Sequence, residues 1–142
     1  MDSFAVRRAA GTAETVSANR HWWDAEAQDY YAEHGAFLGD ADFCWGPEGL
    51  RESDAHLLGP LAGRDVLEIG AGSAQCSRWV AEQGARVVAT DLSLGMLRRG
   101  VAIDAGRPAA PPVPLAQCDG RLLPFPDASF DVVFTAYGVV PF

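Results

Sequence analysis

Four short apolar runs, the first ending in glycines and the first three separated by helical patterns, predict an α/β fold: a Rossmann-like parallel sheet with flanking helices. The runs are Asp65–Ile69, Arg86–Thr90, Leu115–Cys118 and Phe130–Thr135. Strand-sized apolar runs bounded by Gly, Pro and polar residues are what a sheet covered on both faces requires.

The elements follow in order. Residues 1–18 mix Ala, Ser, Thr and Gly without periodicity and are expected to form a disordered tail. From Asn19 to His34, Trp23, Ala27, Tyr30 and Tyr31 recur at three- and four-residue spacing, which predicts a helix with an aromatic stripe that Trp22 widens. Tyr30 and Tyr31 read first as core-facing and second as a cover for a ligand. A second helix is expected from Pro47 to Leu58, with Gly59, Pro60 and Gly63 ending it. Asp65–Ile69 is the first strand. Ser73–Gln83 is helical, with Cys76, Trp79 and Val80 on one face and Gly84 placed as terminator. Arg86–Thr90 is the second strand, and Ser93 caps a helix carrying Met96, Leu97 and Val101. Gly106–Pro114 is a proline-rich loop leading to Leu115–Cys118 and then Phe130–Thr135. Phe125, Phe130, Val132, Val133 and Phe134 read as core. The chain thus divides into a tail (1–18), an N-terminal helical cap (19–62) and an α/β domain (63–142), and the sheet is expected to be incomplete after its fourth strand.

Composition narrows the function. The net charge is −8, with 19 acidic against 11 basic residues and no Lys/Arg run, so a phosphate backbone is repelled and nucleic acid is not an expected partner. Cys44, Cys76 and Cys118 are odd in number and lie far apart, which argues against a disulfide framework or a metal site. Arg7, Arg8 and Glu14 interrupt any signal-peptide core, and no stretch reaches the ~20 apolar residues of a membrane span. A cytoplasmic protein without membrane contact is expected.

The chemistry concentrates in Glu68–Ala74 (E-I-G-A-G-S-A), at the exit of the first strand. Gly70 and Gly72 let the backbone turn tightly and let a ligand approach with no Cβ between them. The helix that follows offers free N–H groups. A tight turn alone would use the same pair. Asp91 closes the second strand roughly 20 residues after Gly70, where dinucleotide-type folds place an acid that accepts from ribose hydroxyls. Its other reading is a cap for the next helix, a role Ser93 already offers.

V-L-E-I-G-A-G-S-A, V-V-A-T-D-L-S-L-G-M-L and Q-C-D-G-R-L-L-P-F-P-D-A-S-F-D-V-V together resemble, in order and spacing, the first four motifs of class I S-adenosylmethionine-dependent methyltransferases, nearest the small-molecule, type-11-like branch. The resemblance covers about residues 64–135; the Phe37–Leu50 stretch also looks like the leader of actinobacterial members. It implies S-adenosylmethionine as cofactor and methyl transfer to a small-molecule acceptor. Carried over by position, Gly70, Ala71 and Gly72 line the methionine end, with Glu68 supporting that loop and the ligand's amino group. Asp91 holds the ribose hydroxyls, Leu92 and Met96 flank the adenine, Asp119 accepts from the adenine amino group, and Gly120 makes the adjoining backbone contact. Asp119 also reads as a solvated loop carboxylate.

Two departures stand out. Ala74 occupies a position where this loop often has a third glycine, and the sequence stops at Phe142 while the family's fold continues through further strands. The rival readings are a truncated non-catalytic fragment and an NAD-dependent oxidoreductase. The latter's G-x-G-x-x-G fingerprint requires glycine at 75, where Gln75 stands, and Glu68 two residues ahead of Gly70 fits the methyltransferase pattern better. His21, His34, His56 and Tyr137 have side chains able to act as a general base, but each also reads as packing or surface. No catalytic residue is named.

Overall fold

The computed structural model describes residues 9–137. The strands are β1 (Asp65–Ile69), β2 (Arg86–Asp91), β3 (Leu115–Gln117) and β4 (Val132–Phe134), and the helices are α1 (Thr12–Leu38), α2 (Glu52–Ala55), α3 (Gln75–Glu82) and α4 (Leu94–Ala105). All strand pairs are parallel, in the order β3-β2-β1-β4. Glu68 sits at the centre, level with Ala89 on one side and Phe134 on the other. Chain order reverses between β1 and β4, so the carboxyl end of β1 is the switch point where such sheets open a crevice.

β1 is apolar throughout except at Asp65 and Glu68, and its centre is fully covered: Val66 and Leu67 are buried, as is Val80 in the same core. Phe43, 0% exposed, plugs the core from the chain segment ahead of β1. Its ring lies 4.7 Å from that of Trp45 and 4.9 Å from that of Phe134.

Several features differ from the sequence expectation. α1 begins at Thr12, so residues 12–18 are helical rather than part of a disordered tail, and it runs on to Leu38; residues 1–8 lie outside the described residues. The extra turns have no apolar stripe to announce them. Farther along, the helix docks on α4, where Asp24 accepts from Ser93 Oγ–H at 2.7 Å and Gly95 N–H at 2.8 Å. Gly95 permits that approach, since a Cβ there would stand 3.0 Å from the Asp24 carbonyl oxygen.

The expected Pro47–Leu58 helix shrinks to the single turn of α2. Gly49 turns the chain at φ 82°, and Cys44 and Arg51 form an antiparallel bridge that Trp45 N–H and Glu52 N–H close. The buried Glu52 carboxylate then takes Leu57 N–H, Leu58 N–H and Trp45 Nε1–H, so those amides never enter a helix ladder.

In α4 the buried stripe is Met96, Leu97, Gly100 and Ile103, while Val101 lies beyond its edge and is 59% exposed. β4 is shorter than expected at both ends. Phe130 leaves the ladder to pack against Phe125, and Val133 on the open edge is exposed rather than core.

Ser93 behaves as expected. Its Oγ accepts from Met96 N–H at 3.1 Å while donating to Asp24. Ser93→Ala removes both bonds, and the expected cost is ~1–2 kcal/mol, read as a lower urea midpoint with an unchanged m-value.

Candidate functional site

The strand ends build the site. β1 stops at Ile69 because Gly70, at φ 71°, turns the chain out of the sheet, and Gly72 turns it again at φ 57°. A Cβ at Gly72 would stand only 3.0 Å from Met96 Cε, so a side chain there would crowd the methionine. Ala71 N–H ties the loop back to the Thr90 carbonyl at 2.9 Å. Ala74 follows at φ 67°, ψ 29°, fully buried: the third glycine's place is held by a residue that keeps glycine's conformation, at a cost of about 1–2 kcal/mol.

Asp91 binds the loop to the second strand. One carboxylate oxygen accepts from Gly72 N–H and the other from Ser93 N–H, each at 2.8 Å. The cap of α4 is Ser93 and not Asp91, and each Asp91 oxygen has a second acceptor position left. Burial raises the Asp91 pKa, and the two backbone amides pull against it.

Glu68 lies deeper, 2% exposed, and takes the Ser77 hydroxyl. Burial pushes its carboxyl up to about 8, so it is protonated at neutral pH. Asp119, near the surface at the end of β3, pairs instead with Arg121, whose guanidinium donates to it at 2.6 Å and holds its carboxyl well below the usual range. Gly120 must lack a side chain, because a Cβ would come within 2.7 Å of Ile69 Cγ2.

Glu68, Gly70, Ala71, Gly72, Asp91, Leu92, Met96, Asp119 and Gly120 all line one cleft of about 420 Å³ at the carboxyl ends of the strands. That volume falls in the range of small-molecule and cofactor sites. Trp23, Tyr30 and Tyr31 of α1 line the opposite wall. They are half-buried and face the cleft, so the first reading of that stripe, as core, is corrected; the buried residues of α1 are Ala27 and Leu38. Among the general-base candidates, Tyr137 lines the cleft.

Sequence reasoning missed Arg78. It is 2% exposed and donates to Asp104 at 2.6 Å and to the Ser73 and Gly100 carbonyls at 2.6 and 2.8 Å. It thereby fixes the exit of the glycine loop against α4. An arginine on an amphipathic helix reads as solvated, and only its distant partners show otherwise.

The donor set has a clear bias. The half-buried Asp91 carboxylate and the buried Glu68 carboxyl offer oxygens to hydroxyl or ammonium groups, and Gly72 N–H is already committed to Asp91 instead of being free for a phosphate.

Residues 66–141 match the family described as "Methyltransferase domain". A demethylmenaquinone methyltransferase of Corynebacterium urealyticum is 36% identical over 117 residues, covering 82% of this chain and 45% of the relative. The chain thus spans about half the length of the curated relatives it matches. A solved S-adenosylmethionine-dependent methyltransferase from Mesorhizobium loti is 30% identical, with TM-score 0.50 over 62% of this chain and 40% of that one. Phosphoethanolamine N-methyltransferase 1 of Haemonchus contortus, solved with phosphoethanolamine and S-adenosylhomocysteine, superposes with TM-score 0.65 over 89% of this chain and 26% of its own, at 22% identity; that likeness concerns the fold.

Proposed function

The chain belongs to the methyltransferase-domain family, and from that premise we propose that its cleft binds S-adenosylmethionine and that the protein transfers the methyl group to a small-molecule acceptor. The observation that carries this reading is the convergence of nine residues, from the ends of three strands and from α4, on one cleft. The shape suits such a ligand. Gly72 and Gly120 let the loop and the β3 end pack against Met96 and Ile69 without a Cβ between them, and the Asp91 carboxylate keeps acceptor positions free.

In this reading Asp91 holds the ribose hydroxyls, and Glu68 meets the amino group from below the glycine loop. Gly70, Ala71 and Gly72 bound the methionine end, Leu92 and Met96 flank the adenine, and Asp119 with Gly120 reads its edge. Asp119 must then share its carboxylate with Arg121. S-adenosylmethionine, when bound, supplies a methyl group activated on a sulfonium. The chain's share of the chemistry is alignment: Asp91 clamps the loop, Arg78 braces it from behind, and α1 closes the open side against water.

Acceptor class follows from charge and lining. An acidic chain and an aromatic wall favour an uncharged, apolar metabolite over RNA or DNA. Three cysteines without disulfide partners suit the cytoplasm.

The test is methyl transfer by the full-length protein from methyl-labelled S-adenosylmethionine to demethylmenaquinol, the reduced form of the acceptor in the corynebacterial relative's name, and to a panel of other apolar metabolites. Label in an organic-extractable product is expected. Oxidation of NADH with no label transferred would point to the oxidoreductase reading instead.

A further inference from the structure

The cofactor residues account for one side of the cleft only. Because β4 is parallel to β1 with Phe134 level with Glu68, residues 135–137 leave the sheet beside Ile69 and Gly70. That is the methionine side of the loop; Asp91, Leu92 and Asp119 lie on the far side of β1, at the ends of β2 and β3. Thr135, Ala136 and Tyr137 line the cleft there, and α1 brings Tyr30 to the same corner.

Three observations meet at this corner. Tyr137 has φ 63°, a left-handed conformation that a bulky side chain adopts only under constraint and that concentrates at functional sites. Thr135 Oγ1 is buried without a hydrogen-bond partner among the described residues, the kind of orphan a ligand group satisfies. Tyr30 is held against Trp23, edge to face with centroids 5.5 Å apart, and burial together with the neighbouring Tyr137 raises its phenol pKa.

Resting on the cofactor reading above, we propose that Tyr30, Thr135 and Tyr137 form the acceptor subsite, and that it takes a planar aromatic ring bearing a hydroxyl. Tyr30 and Tyr137 supply an aromatic lining for such a ring, and Thr135 becomes the partner of the ring hydroxyl. A transferable methyl group at the methionine end then lies next to the ring, where in-line displacement requires the acceptor.

The probe is 1-naphthol, titrated calorimetrically into full-length protein saturated with S-adenosylhomocysteine. Binding is expected in the wild type, at least tenfold weaker in Tyr30→Leu and about fivefold weaker in Thr135→Val. Thr135→Ser, which keeps the hydroxyl, is expected to restore it. Decahydro-1-naphthol, with the hydroxyl but no flat ring, is expected to bind at least tenfold more weakly than 1-naphthol. S-adenosylhomocysteine affinity is expected to stay within twofold in every variant, which also certifies the fold. Failure of 1-naphthol to bind the loaded wild type, or equal binding by wild type, Tyr30→Leu and Thr135→Val, overturns the subsite and leaves the cofactor reading standing. Failure of S-adenosylhomocysteine itself to bind removes both.

Discussion

Between pH 5 and 8 the protein is expected to lose stability, and Glu68→Gln to remove most of that loss. The folded-state value of about 8 lies above the 4.5 of an ordinary glutamate, and the cause is burial in the middle of the sheet. The native protein therefore keeps a proton that the unfolded chain gives up. The stabilisation is complete below pH 4.5 and falls as pH rises toward 8, by roughly 5 kcal/mol across the window at ~1.4 kcal/mol per unit. Asp91, raised by burial as well, adds a loss of the same sign; Asp24 and Asp119, held low, act with the opposite sign in more acidic solution. Urea midpoints at several pH values, for wild type and Glu68→Gln, measure the difference in slope. Equal slopes would show that Glu68 does not carry the proton. The same proton links to the ligand. An ammonium group meeting Glu68 favours the ionised carboxylate, so binding of S-adenosylmethionine at pH 7 is expected to release a proton, and binding to Glu68→Gln is not. Calorimetry in buffers of different ionisation enthalpy reads that release directly.

Asp91→Ala is expected to weaken S-adenosylmethionine by roughly tenfold to a few hundredfold. Charge-assisted bonds to the ribose hydroxyls contribute ~1.5–3 kcal/mol each, and ~1.4 kcal/mol is one decade in affinity. The structure adds a second reason for the loss: Gly72 N–H and Ser93 N–H surrender their acceptor, so the glycine loop relaxes as the ribose contact disappears. Asp91→Asn keeps one acceptor oxygen and is expected to fall between wild type and alanine. An unchanged dissociation constant in Asp91→Ala, with cooperative unfolding retained, would place the ribose elsewhere.

The positions of the strands, the limits of β1 and the glycine loop were legible because their causes are local, whereas the ends of β4 were not. β1 matches its expected limits residue for residue, since a polar-to-apolar change opens it and a glycine at φ 71° closes it. Ser93 was legible as a cap for the same reason. Features that depend on distant partners were not. The first turns of α1 carry no apolar stripe, the Pro47–Leu58 segment is diverted by the Cys44–Arg51 bridge and the Glu52 carboxylate, and Arg78 is buried by partners on α4, at Ser73 and at Asp40. Nothing in the spacing of Trp23, Tyr30 and Tyr31 distinguishes a core face from a cleft wall; the distinction depends on what lies opposite, and here it is the glycine loop.

The cleft as a cofactor site is tested most directly by calorimetric titration of the full-length protein with S-adenosylhomocysteine and, separately, with NADH. The expected result is one-to-one binding of S-adenosylhomocysteine, weakened by Asp91→Ala, with no binding of NADH. Saturable binding of NADH that depends on Asp91, with none of S-adenosylhomocysteine, would contradict it.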